Sequence, residues 1–154
     1  MIFTSIAKGM NINKSLARSW ALIAISEPGL DVNSITRELG IEPDFALAKD
    51  TLAISGEKIS TPLWQIHSKK EAFSPLEDHV WELISRIAPN RKEFQKICQK
   101  HKVILYCSIE FNDGNKDEVS LSPKTLLLLG DLGVNLCFQG WKLPEERRRL
   151  DDQH

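Results

Sequence analysis

Charge of one sign is what this sequence most plainly lacks. Its 20 basic residues are met by 21 acidic ones, a net charge of −1 over 154 residues, so no global field draws it onto nucleic-acid phosphates. Long hydrophobic runs are missing too. LLLL at 126–129 is typical of what is present, far short of the ~20 residues a membrane-spanning helix requires. The start, MIFTSIAKGMNINKSLAR, is apolar only briefly, without the basic leader, apolar core or small-residue cleavage site of a signal peptide. The expected address is the cytoplasm. Cysteine is scarce: Cys98, Cys107 and Cys137 are odd in number, lack CxxC spacing and lie in apolar segments, which reads as reduced, buried thiols.

The signatures of catalysis are equally thin. No GxSxG elbow presents a serine nucleophile, and neither GxxxxGK[ST] nor GxGxxG is there to cradle a phosphate. His67, His79, His101 and His154 fall in separate segments, so no ligand spacing for zinc arises. Cys98 and His101 stand three apart on an expected helix and could meet, but such a pair usually reflects one buried and one exposed position. Glu77-Asp78 and Asp151-Asp152 are adjacent, and Glu110, Asp113 and Asp117 gather near a strand end. All of them read as exposed, without the contrast of environments that separates an acid from a base. The Arg147, Arg148, Arg149 run is flanked by Glu145, Glu146, Asp151 and Asp152 and is locally neutralised. No cofactor, metal or catalytic residue is expected.

What is present suffices to build a core. A chain of this length buries roughly 68–70% of the surface it would expose unfolded, and an apolar share of 42% with 27% charged residues is ordinary for a globular protein. RSWALIAISE (18–27) reads as a buried strand closed by Pro28-Gly29. In LDVNSITRELG, Asp31 can cap a helix, Leu30 and Ile35 form a hydrophobic staple, and Val32, Ile35 and Leu39 share one face. Gly40 suits the left-handed exit and Pro43 prevents resumption. A weak strand is expected over 44–54 and a firmer one over 61–69, where Leu63, Gln65 and His67 alternate with Trp64 and Ile66.

SPLEDHVWELISRIA predicts the longest helix, with Ser74 as cap, Pro75 opening it, Glu77 completing a capping box and a stripe of Leu76, Val80, Leu83, Ile84 and Ile87. Pro89-Asn90 interrupts it, and Asn90 with Glu93 can restart a helix that buries Phe94, Ile97 and Cys98. KVILYCSIEF alternates strictly, with Val103, Leu105, Cys107, Ile109 and Phe111 on one face and Ile104, Tyr106, Ser108 and Glu110 on the other. Beyond a polar loop, Ser122 and Pro123 open another helix, with Leu121 and Leu126 as its staple. Leu132-Gly133-Val134 echoes Leu39-Gly40-Ile41, and NLCFQGWK reads as a last strand.

These elements give an α+β fold, an antiparallel or mixed sheet with helices packed on one face; the repeated Leu-Gly exit reads either as two related β-α-β halves bridged by long helices or as shared helix-ending physics alone. The expected organisation is an N-terminal extension (1–17), one domain (18–143) and a charged tail (144–154). The order of LDVNSITRELGIEPD, TPLWQIHS, PLEDHVWELI, ILYCSIEF and SLSPKTLLLLGDLGVNLCFQGW resembles the bacterial family catalogued as domain of unknown function 4279. The resemblance covers about 18–143 and is most specific at ITRELGIEP and the tryptophan strand after it. It implies the same fold and no reaction.

Helices on one face leave the other to Gln65, His67, Tyr106, Ser108, Glu110, Gln139 and Trp141. Aromatic rings among flexible donors and acceptors suit a protein-binding patch or a shallow ligand groove; the bland reading is a merely solvated face. The leading expectation is a non-enzymatic bacterial module that binds another protein, one form being an immunity protein that neutralises a cognate toxin, with a homodimer as another arrangement. The alternative is a small-molecule-binding domain or an uncharacterised enzyme with a pocket between sheet and helices.

Overall fold

The run SWALIAIS becomes β1 (Ser19–Ser26), the middle strand of five. The computed structural model describes residues 18–110 and 119–141, the last of them by its main chain alone. Readings that concern the 1–17 extension, Phe111, Asp113, Asp117, the 144–154 tail with its arginine run and His154, and the side chain of Trp141 lie outside the described residues.

After β1 come α1 (Val32–Leu39), β2 (Phe45–Leu47), β3 (Leu63–His67), α2 (Leu76–Ile87) and α3 (Arg91–Lys100), followed by β4 (Val103–Glu110), α4 (Pro123–Leu132) and β5 (Asn135–Trp141). The strands lie in the order β2-β3-β1-β4-β5. All neighbours are antiparallel except β4 and β5, which are parallel. The sheet is therefore mixed, and the fold is α+β as expected. Each half holds a β-α-β unit with parallel strands. In the first, β3 sits between β1 and β2; in the second, β4 and β5 touch.

Alternation decides which face is covered. Ile23 and Ile25 of β1, Trp64 and Ile66 of β3, and Val103, Leu105 and Cys107 of β4 point one way and are buried. They join one core cluster with Val32, Ile35 and Leu39 of α1, the α2 stripe, Phe94 and Ile97 of α3, and Leu129 and Leu132 of α4. All four helices thus pack on one side of the sheet. Among the described residues, no helix is long and apolar enough to cross a membrane.

The ITRELG segment is a joint. Asp31 Oδ1 accepts from the Asn33 and Ser34 amides, and Gly40 leaves the helix at φ 63°. Thr36 then serves the core, because its hydroxyl accepts the indole N–H of Trp64 at 3.0 Å. The echo at Gly133 is real in conformation: φ is 86°, and a Cβ there would sit 3.2 Å from Cys98 Cβ, so both backbone and packing favour glycine.

Three local expectations are corrected. Ser74 does not cap α2; the N-cap is Pro75, with no side-chain cap bond. Glu77 instead reaches α4, where its Oε1 accepts from the Ser122 amide at 2.7 Å and the Thr125 hydroxyl at 2.6 Å. Those bonds hold its carboxyl below the usual range. Asn90 likewise makes no side-chain cap for α3; its Nδ2 donates to the Leu39 carbonyl at 2.6 Å and closes the end of α1. The third correction is β2, only three residues long where a strand over 44–54 was expected. Asp50 takes a left-handed φ of 67° and the segment folds back through the bridge Leu52↔Lys58, because its turn formers outweigh its few strand formers.

His79 of α2 is fully buried. Its Nδ1 shares a 2.7 Å hydrogen bond with Ser68 Oγ, which also accepts from the Ala21 amide, while Nε2 makes no hydrogen bond of good geometry among the described residues. Burial lowers its pKa below the ordinary histidine value, only partly opposed by the Glu71 main chain and the charges of Asp78 and Glu82; Lys70 adds to the lowering. Between the folded value and the ordinary one, about 6.5, the unfolded chain holds the extra proton, so stability rises with pH across that window. The contribution is complete above the ordinary value and is lost as pH falls toward the folded one. Urea unfolding at pH 7.5 and pH 5 should show this loss, and His79→Gln should flatten it; an unchanged slope in the variant would remove His79 as the cause.

Candidate functional site

On the uncovered face, cross-strand register arranges strand positions in rows. One row is Phe45, Gln65, Ala24, Ile104 and Asn135, and the next is His67, Leu22, Tyr106 and Cys137. A third holds Trp20, Ser108 and Gln139, and the last pairs Glu110 with Trp141. All seven sequence-derived positions therefore fall on one face, spread over β3, β4 and β5.

They do not act alike. The rings and amides nearest β3 touch directly: with its proton on Nε2, His67 donates to Gln65 Oε1 at 2.9 Å. His67's main chain is clamped as well, its amide donating to Asp44 Oδ2 at 2.7 Å and its carbonyl accepting from Arg86 Nη1 at 2.8 Å. Burial would raise the Asp44 pKa, but the His67 amide, Arg86 and Lys69 outweigh it and hold the carboxyl below its usual range. This clamp fixes the end of β3. Tyr106 and Ser108 are half-buried, and Gln139 is exposed.

Glu110 departs from expectation. It reads from the sequence as exposed, yet it is 2% exposed and held by Arg18, whose Nε donates to Oε2 at 2.7 Å and Nη2 to Oε1 at 3.2 Å. A carboxylate can be buried there because the fork of an arginine satisfies both oxygens. Its chemistry is spent inside the fold.

Between β3 and β4 the face dips into a groove of about 380 Å³, lined by Leu22, Ala24, Ser26, Leu63, Gln65, Lys102, Ile104, Tyr106 and Gln139. Three of the sequence-derived residues, Gln65, Tyr106 and Gln139, are among them; the remaining four stand outside it. The contribution of β1 went unread in the sequence because WALIAI is apolar on both faces and shows no alternation. Only its pairing with β4 reveals that Leu22 and Ala24 look outward.

The cysteine and histidine pair carries no sign of thiolate chemistry. His101 caps α3 and its Nδ1 is bonded to Glu27, while burial pushes the Cys98 thiol up to about 12. Cys107 is also pushed up to about 12, by burial first and then by Cys137. Of the three thiols only Cys107 is fully buried; the others are half-exposed.

The model of one protein family, described as Domain of unknown function (DUF4279), matches residues 17–143. No curated protein matches the chain, and no solved structure does.

Proposed function

Because the chain belongs to the DUF4279 family, which brings no reaction with it, its chemistry has to be read from its surface, and we propose that the uncovered sheet face recognises another protein. One observation carries this reading: the register places an aromatic and polar set on one face of the sheet while the helices occupy the other. Tyrosine and glutamine among apolar neighbours match the mixed character of protein interfaces. The specific form is a bacterial immunity protein that silences a toxin by binding it, a non-enzymatic role for a cytoplasmic protein whose free thiols stay reduced. A small-molecule site or enzyme with a pocket between sheet and helices has less support, since the groove described above opens on the opposite face.

Affinity capture from the native host tests this, with the wild-type chain beside a Tyr106→Ala, Gln139→Arg variant of unchanged unfolding midpoint. The expected result is one specific protein held by the wild type and lost by the variant. Expressed alone, that protein should arrest growth, and this chain should relieve the arrest. Recovery of no specific partner, or equal recovery by the variant, refutes the reading.

A further inference from the structure

We infer that the groove over Ala24 receives an apolar side chain of the partner protein, and that Lys102 pairs with an acidic residue beside that side chain. The inference rests on the reading of the uncovered face as a protein-recognition surface and gives that surface its chemistry. The dip exists because Ala24, the smallest side chain in its row, stands between Gln65 and Ile104. Its lining is apolar at Leu22, Ala24, Leu63 and Ile104, so an apolar group entering it leaves water.

Lys102 supplies the second half of the specificity. It is exposed at the rim, and among the described residues it has neither an ion-pair nor a hydrogen-bond partner. Glu27, the acidic residue that directly follows β1, is engaged by His101. An unpaired cation beside an apolar dip is complementary to a carboxylate beside an apolar side chain.

The shape of the site favours a protein as the source. A small-molecule pocket buries about 70–90% of its ligand, and at about 380 Å³ this groove is at the small end of such sites. Its lining comes from sheet strands and Lys102 alone among the described residues, so it offers a floor and low walls. A side chain projecting from a protein surface can enter from above, with the rest of the partner excluding water around it.

The test is a titration of the ¹⁵N-labelled full-length chain with three blocked dipeptides, Phe-Glu, Phe-Gln and Phe-Lys, followed by amide chemical shifts at low salt. Phe-Glu is expected to shift Ala24, Ile104 and Tyr106, with affinity about two- to fivefold above Phe-Gln, the worth of an exposed ion pair, and with Phe-Lys weakest. Lys102→Gln should erase that preference and Lys102→Glu should invert it. Ala24→Leu, which fills the dip, should abolish the shifts; should that variant misfold, the Lys102 pair decides alone. Equal affinity for the three peptides, shifts elsewhere on the molecule, or no shift at millimolar peptide overturns the inference. If the peptides fail while Tyr106→Ala, Gln139→Arg still loses the captured protein, the surface reading stands and only the groove chemistry is wrong.

Discussion

Replacing Trp64 with alanine is expected to remove about 3–5 kcal/mol of folding stability, a large share of the roughly 5–15 kcal/mol typical of a domain. The side chain is fully buried on the covered face of β3. Its indole N–H donates to Thr36 Oγ1, and the Thr36 hydroxyl donates to the Val32 carbonyl inside α1. Removal therefore opens a cavity between sheet and helix and takes away the donor that fixes α1 against β3. Trp64→Phe separates the two effects: most of the ring volume remains, Thr36 loses its donor, and the cost should be about 1–3 kcal/mol. Urea midpoints at unchanged m-value would report both numbers. A loss below 1 kcal/mol for Trp64→Ala would contradict the placement of this residue in the core.

Arg18→Met is expected to cost about 3 kcal/mol, because it leaves a buried carboxylate without its counter-charge. Glu110's side chain is 3% exposed and Arg18's 26%, so water can reach one side of the pair, and the loss should fall toward the low end of what breaking a buried pair costs. The double variant Arg18→Met, Glu110→Leu should regain most of that stability, since two apolar groups remove the uncompensated charge altogether. A double-mutant cycle isolates the pair from any other contact of Arg18. The outcome also bears on function: a strong coupling marks Glu110 as structural, whereas Glu110→Gln without any stability loss would return it to the recognition surface.

Local signals in the sequence were reliable where the physics is local. Asp31, Ser122, Gly40 and Gly133 open and close α1 and α4 as their residue types dictate, and the strict alternation of β4 fixed both faces of the sheet through that strand. Reading failed where a side chain serves a distant partner. Glu77 fits a capping box three residues after Ser74, and Asn90 fits a cap before Arg91, but both bond residues more than forty positions away. Nothing in the spacing distinguishes the two uses. The groove was half-legible for a related reason: Gln65, Tyr106 and Gln139 stood out as polar alternates, while Leu22, Ala24 and Lys102 acquire meaning only from register. Glu110 looked exposed because its counter-ion lies 92 positions earlier in the chain.

Those two borrowed terminators, Asn90 closing α1 and Glu77 opening α4, tie the helical layer into a mutual dependency. Undocking α2 and the turn after it would take the Asn90 donor from the Leu39 carbonyl and the Glu77 acceptor from the Ser122 amide in the same event. Fraying therefore cannot stay confined to one helix. Amide hydrogens of α1, α2 and α4 should exchange through a common opening, released together rather than in sequence.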